Sequence, residues 1–221
     1  MRGTPELLLL TWTAGTLDGL SYLGGHVFTA NMTGNTVLLG LHLMRGETGP
    51  AIHCVMALAA FAAGCALAAV FEPHKVANPQ SLRNLTIAAR VEFPLIAICS
   101  ALWIVQKQSG AGTLAIPAIV LAAIALGIQS VAVRRLRISG VVTTFITGTI
   151  TTTVVGLAGA IRSRERTGAW PAEVSRSAVL FSMFLLYLAA AVVAGYFAFH
   201  RPFIAAVLPL PSLVPIMLRS N

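Results

Sequence analysis

Val27-Phe28-Thr29-Ala30-Asn31-Met32-Thr33-Gly34-Asn35 is followed, half a chain later, by Val141-Val142-Thr143-Thr144-Phe145-Ile146-Thr147-Gly148-Thr149. The two stretches share Val, Thr, Thr and Gly at four of nine aligned positions. Both are apolar enough to enter a bilayer, yet both carry hydroxyl groups and a glycine where an ordinary membrane helix carries Leu or Val. How these two elements are treated decides the fold.

Around them the chain is strongly apolar. Hydrophobic residues make up 57% of the 221 positions and charged residues only 10%, with a mean hydropathy of +0.83. A soluble domain carries about 25% charge, so these values point to an integral membrane protein. About 20 apolar residues span the hydrocarbon core. Eight apolar segments can be marked, at 7–24, 27–44, 51–71, 91–106, 113–133, 138–161, 177–199 and 202–218. The polar connections 72–90 and 162–176 are too short for separate domains, so residues 1–221 read as a single membrane domain. Leu7 to Gly15 behind Arg2 has the look of a leader, but Glu6 precedes it and Asp18 follows without a cleavage pattern, which favours retention.

The charges choose between two topologies. The formal net charge is +8, and the basic residues occupy short gaps between apolar runs, which is the pattern of orientation signals and headgroup contacts, not of nucleic-acid binding. If all eight segments cross, eight of the fifteen basic residues fall on the inner side and the positive-inside rule has no preference. If segments two and six dip in and return, six crossings remain and both termini are cytoplasmic. The inner side then holds Arg2, Lys75, Arg83, Arg90, Arg134, Arg135, Arg137, Arg162, Arg164, Arg166, Arg176 and Arg219, against Arg45, Lys107 and Arg201 outside. The expected fold is therefore all-α, with six transmembrane helices and two re-entrant or broken Thr-Gly elements; eight full crossings is the alternative. Each half, 1–106 and 113–218, contains three crossings, and an odd number makes the repeats inverted in topology.

Non-helical backbone at membrane depth survives only where protein buries it or water lines it. Two opposed Thr-Gly elements meeting near the midplane would make a polar site. Its candidate solute-binding residues are Thr29, Asn31, Thr33, Gly34 and Asn35 in the first half and Thr143, Thr147, Gly148 and Thr149 in the second. Free amides at the start of a helix favour negative charge, so the expected partner, besides the lipid bilayer, is a small polar or anionic solute. For any single Thr, a bond back to a carbonyl one turn earlier is the plainer role.

Asp18 is the sharpest single residue. An acidic side chain inside an apolar segment costs roughly 2.5 to 3.5 kcal/mol on insertion scales and requires a polar surrounding. It is a candidate coupling or gating residue, or else a pin for the Thr-Gly element through Asn31 or Asn35. The equivalent place in the second half holds the uncharged Gln129 and Ser130, so the halves differ in charge. His26 and His42 flank the first element and suggest a proton relay or, more plainly, interface residues. Glu92, two residues after Arg90, reads as a headgroup anchor. Small residues repeat every four positions at Ala60, Gly64 and Ala68, at Ala191 and Gly195, and at Gly15 and Gly19, as in closely packed membrane helices or a homodimer. Cys54, Cys65 and Cys99 lie in apolar segments without metal-ligand spacing and read as free thiols. Neither a cofactor motif nor a metal site is expected, and no nucleophile and base stand at a catalytic spacing.

The run Ala14-Gly15-Thr16-Leu17-Asp18-Gly19-Leu20-Ser21-Tyr22, followed by Phe28 to Thr36, resembles the YoaK-like (UPF0700-type) family of bacterial inner-membrane proteins. The resemblance implies a multi-pass protein of the inner (cytoplasmic) membrane and brings no established activity. Its specific motif lies in the first 45 residues. In the second half Thr149 stands where the first motif has Asn35, so a site built from both elements is not two-fold symmetric.

Overall fold

The computed structural model describes residues 3–71, 82–109, 115–136, 146–167 and 173–219. These form nine helices: α1 (Thr4–Gly25), α2 (Met32–Arg45), α3 (Thr48–Phe71), α4 (Arg83–Ser109), α5 (Ala115–Arg134), α6 (Ile146–Thr167), α7 (Glu173–His200), α8 (Pro202–Val207) and α9 (Leu210–Met217). Among the described residues there is no strand. Four spans are long and apolar enough to cross a bilayer: Thr48–Val70, Arg83–Ser109, Ala115–Arg134 and Val174–His200.

The remaining helices depart from that simple pattern, each for a local reason. Helix α1 has 22 residues, enough to cross, but Thr11, Thr13, Thr16 and Asp18 are buried along it. The three threonines donate to carbonyls a turn earlier, at Leu7, Leu9, Trp12 and Thr13, which removes their hydroxyls from the apolar surroundings. Helix α2 has 14 residues, or about 21 Å of rise, well short of the roughly 30 Å hydrocarbon core. The last apolar stretch is broken between α8 and α9 at Leu208 and Pro209, as expected where Pro209, Pro211 and Pro215 remove backbone donors.

Two boundaries differ from the sequence reading. Helix α4 begins at Arg83, not 91, because Leu85, Ala88 and Ala89 bury a face inside what reads as a polar connection. Helix α6 continues to Thr167, past 161, so Arg162, Arg164 and Arg166 ride on helix instead of a loop.

Side-chain contacts fix the relative directions. Gly15 lies against Tyr187 and Ala190, and Gly19 against Ala191 and Ala194, so α1 and α7 run parallel. Ala57 clusters with Ile119 and Gly64 lies on Ile124, so α3 and α5 also run parallel. Gly25 meets Ile119 and the Gln129 amide reaches the Leu10 carbonyl at 3.3 Å, so α1 and α5 oppose one another. The segment α8–α9 runs against both α1 and α4: Thr13 bonds Ser212 at 2.7 Å, and Ser100 donates to the Ala206 carbonyl at 2.6 Å. An ion pair between Glu6 and Arg219 brings the beginning of α1 and the end of α9 to one face. Helix α2 packs on α3, and α6 packs on α7. The main core lies among α1, α4, α5, α7 and α9, around Leu10, Leu85, Leu126, Leu180 and Leu213.

Lipid tails offer no hydrophobic drive for helix association, so close contact has to come from small residues. Gly64 and Gly127 face one another across α3 and α5, and neither leaves room for a Cβ against the partner backbone. The cysteines are free, Cys54 buried and Cys65 and Cys99 half-buried. Gly64→Val should lower stability by about 1–3 kcal/mol or more through overpacking, whereas Gly40→Val, where a Cβ meets nothing within 4 Å, should leave the thermal midpoint in lipid nanodiscs unchanged. Equal midpoints for the two variants would contradict this packing.

Candidate functional site

The first Thr-Gly element is built on an interruption of the backbone. Helix α1 ends at Gly25, and His26 takes left-handed dihedrals (φ 56°, ψ 31°) while its N–H donates to the Tyr22 carbonyl. A non-glycine residue in this region reverses the chain. Residues 26–31 then fold back along α1, so that Thr29 to Asn31 reach Asp18, seven residues before the helix end and thus about 10 Å below it.

Asp18 is only 2% exposed, and its carboxylate accepts from five donors. Oδ1 receives the Thr29 N–H at 2.6 Å, the Thr29 hydroxyl at 3.1 Å and the Ala30 N–H at 2.6 Å. Oδ2 receives the Asn31 N–H at 3.1 Å and the Tyr187 hydroxyl from α7. Backbone donors exposed by breaking a helix at membrane depth each cost several kcal/mol if left alone. Here they converge on one carboxylate, and the carboxylate in turn receives the hydrogen bonds that make its own burial tolerable. Its partners are the backbone of 29–31, the Thr29 hydroxyl and Tyr187, in place of the Asn31 and Asn35 side chains named as candidates from the sequence.

Those two asparagines hold the same element by other bonds. Asn31 caps α2, its Oδ1 accepting the Gly34 N–H at 3.1 Å, the usual role of an N-cap Asn. Asn35 is fully buried and closes a ring with Phe28: its Oδ1 accepts the Phe28 N–H at 2.8 Å and its Nδ2 donates to the Phe28 carbonyl at 2.6 Å. Gly34 is required sterically, because a Cβ there would lie 2.9 Å from both the Phe28 ring and the Asn31 amide. Phe28 in turn stacks on Tyr22 with ring centroids 5.0 Å apart. Thr33 is exposed. Asp18, Thr29, Asn31, Gly34 and Asn35 are thus brought together into one bonded unit.

The second half is arranged differently. Gln129 is fully buried in α5, spanning to Leu10 of α1, and Ser130 is half-buried beside it. Thr147, Gly148 and Thr149 open α6; Thr149 is buried, whereas Gly148 is exposed and a Cβ on it would meet nothing within 4 Å. Thr143 lies outside the described residues. Helices α2 and α6 each pack on their own neighbour, α3 and α7, and among the described residues do not form a packed pair with one another. The flanking histidines also separate: His42 pairs with Glu47 at 2.6 Å, and His26 sits edge-on to Tyr22. Among the described residues no group of three His, Cys, Asp or Glu is assembled for a metal ion.

One functional candidate has no place in the sequence reading, and another has a different role there. Tyr187 has no local signature, since its partner is 169 residues away. Glu92 is no headgroup anchor: it is 0% exposed on α4, while the Arg90 guanidinium turns away to the Met217 carbonyl at 3.2 Å. The signal available was an acidic residue on the same helical face as Leu85, Ala88, Ala89 and Ile96, once the helix is extended back to Arg83.

Removing the hub should be costly. Asp18→Ala strands three backbone N–H groups and should lower stability by about 3–5 kcal/mol, and Tyr187→Phe by about 1–3 kcal/mol, measured by denaturant unfolding in detergent micelles. An Asp18→Ala loss no larger than that of Tyr187→Phe would contradict the hub geometry.

Comparison with known proteins finds a transmembrane relative and a family of unknown function. A family model described as protein of unknown function (DUF1275) matches residues 7–218. The chain is 34% identical over 154 residues to the UPF0700 transmembrane protein YoaK of Bacillus subtilis (strain 168), a match covering 69% of this chain and 66% of that relative. The aligned part thus spans just under two thirds of the relative's length. No solved structure matches the chain significantly. With its family model matched over nearly the whole chain and four helices apolar enough to cross a bilayer, the protein is a membrane protein that belongs to the YoaK-like DUF1275 family.

Proposed function

We propose that the protein is a secondary transporter or channel for a small polar, anionic solute, built from two inverted repeats in the inner membrane with both termini cytoplasmic. The observation that carries the reading is the break after α1: the chain turns back at His26 to the buried Asp18 carboxylate and continues as a 14-residue helix. Interrupted helices of this kind surround solute sites in inverted-repeat transporters.

The packing supports the repeat. Exchanging α1 with α5, α2 with α6, α3 with α7 and α4 with α8–α9 turns the main contacts of one half into contacts of the other: α1 on α7 becomes α5 on α3, and α2 on α3 becomes α6 on α7, while the packing of α8 on α7 has no counterpart between α3 and α4 among the described residues. Helix directions reverse under the same exchange. Helix α1 and the α8–α9 segment then complete six crossings alongside the four apolar spans.

The asymmetry of charge supports an anion. In the first half the negative charge at the helix start is the protein's own Asp18 carboxylate, which gates by tying residues 29–31 to α1 and α7. In the second half the equivalent positions are the neutral Gln129 and Ser130, so Thr147, Gly148 and Thr149 at the start of α6 are the place for an external anion. No enzymatic activity is proposed. A non-catalytic structural or partner-binding role has one observation in its favour, the use of Thr29, Asn31 and Asn35 in internal bonds.

Two measurements separate these readings. After removal of the native cysteines, a single cysteine at Arg45 should label in intact cells with an impermeant thiol reagent and one at Arg164 should not; protection at both would favour eight full crossings. In proteoliposomes on a solid-supported membrane, formate, acetate, nitrate and phosphate should include at least one that evokes a current, reduced severalfold by Thr149→Val. Silence towards all four, with no thermal stabilisation by any, would contradict transport and leave the structural role.

A further inference from the structure

Glu92 is the one acidic side chain among the described residues that is fully buried with both carboxyl oxygens lacking a hydrogen-bond partner. It projects from the face of α4 that also carries Ile96, Ser100 and Trp103, at spacings of four, four and three residues. A cavity between α1, α4, α5 and α8 is lined on α4 by Cys99, Ser100 and Trp103 and closed opposite by Leu17, Ser21 and Ala122. Cys99 is seven residues from Glu92, about 10 Å along the helix, and the buried Ile96 lies between them. The cavity therefore approaches the carboxyl from the α4 C-terminal side.

The elements packed against α4 bring no counter-charge. Helix α5 carries a single charged residue, Arg134, exposed at its end, and α8 and α9 carry none. On α4 itself Arg90 is committed to the Met217 carbonyl, Lys107 lies over the Trp103 ring, and Arg83 stands at the start of the helix, more than two turns from Glu92. The Arg219 guanidinium is taken by Glu6. A bare carboxylate in such surroundings costs several kcal/mol, and what relieves it is a bound cation. Among the described residues no group of three His, Cys, Asp or Glu is assembled to hold a metal ion, so the cation that fits is the smallest, a proton. The local backbone is suited to change as well. Pro94, one half-turn on, leaves the Arg90 carbonyl without its helical N–H donor, and the helix opposite is the proline-broken α8–α9 pair.

We infer that Glu92 is a proton-binding site in the membrane interior, reached through the α1–α4–α5–α8 cavity, and that it carries the coupling proton of the transport proposed above. Asp18, with five donors directed at it, holds structure while Glu92 changes its protonation. The coupling role rests on the transport reading; the proton site does not.

The test uses full-length protein in lipid nanodiscs treated with dicyclohexylcarbodiimide, an apolar reagent that adds across the O–H of a protonated carboxylic acid and rearranges to a stable N-acylurea. Peptide mass spectrometry should find the adduct on Glu92, with the yield falling by roughly tenfold per pH unit beyond the midpoint of titration and with little on Asp18. An Ile96→Ala variant, which opens the path from the cavity, should label several-fold faster. No adduct on Glu92, or a yield that does not vary with pH in folded protein, overturns the proton site whether or not the anion currents are found. Labelling of Glu92 in protein that gives no current upholds the site and removes only its coupling role. The mapping on wild-type protein does not depend on a Glu92 variant folding.

Discussion

The structure depends on one carboxylate set against several stranded amides. Breaking a helix inside a bilayer leaves N–H groups that water cannot reach, and burying an acid there leaves a charge that water cannot reach either. Asp18 and residues 29–31 cancel both costs against each other at 2.6 to 3.1 Å. Neither feature is tolerable alone. Once they are joined, the left-handed turn at His26, the half-length α2 and the seating of Phe28 on Tyr22 follow, and Tyr187 extends the same hub to α7.

Around the hub, association is governed by how closely backbones approach. Gly15 and Gly19 let α1 lie on α7, and Gly64 with Gly127 does the same for α3 and α5. These two tight pairs run in opposite directions, with α4 and α8–α9 filling the space beside them. The halves are alike in packing and unlike in polarity. In the first half the Asp18 carboxylate receives the amides that precede α2, whereas α5 carries the uncharged Gln129 and Ser130.

Much of this was legible in sequence where a residue type conflicts with its surroundings. Asp18 in an apolar run, the first Thr-Gly stretch and the three prolines near the end each announce a departure from a plain membrane helix, and each corresponds to one. The small-residue spacings foretold the tight contact at Gly64. Partners across the chain were not legible: Tyr187 sits in a run of apolar residues with nothing local to mark it as a ligand of Asp18. Glu92 was misread because Arg90 and the polar connection before it suggest a headgroup boundary, whereas the helix starts earlier and carries the acid a further two turns inward. Residues 137–145, which include Thr143, lie outside the described residues, so the start of the second element is read from sequence alone.

The central claim is that the Asp18 carboxylate holds the 26–31 segment folded back along α1. Hydrogen–deuterium exchange of the wild-type protein and of Asp18→Asn in nanodiscs tests it most directly. Peptides covering Thr29 to Asn31 should exchange slowly in the wild type and many-fold faster in the variant, while peptides from α3 and α5 stay protected in both. Exchange of Thr29 to Asn31 that is equally slow in the two proteins, or fast already in the wild type, would contradict the account.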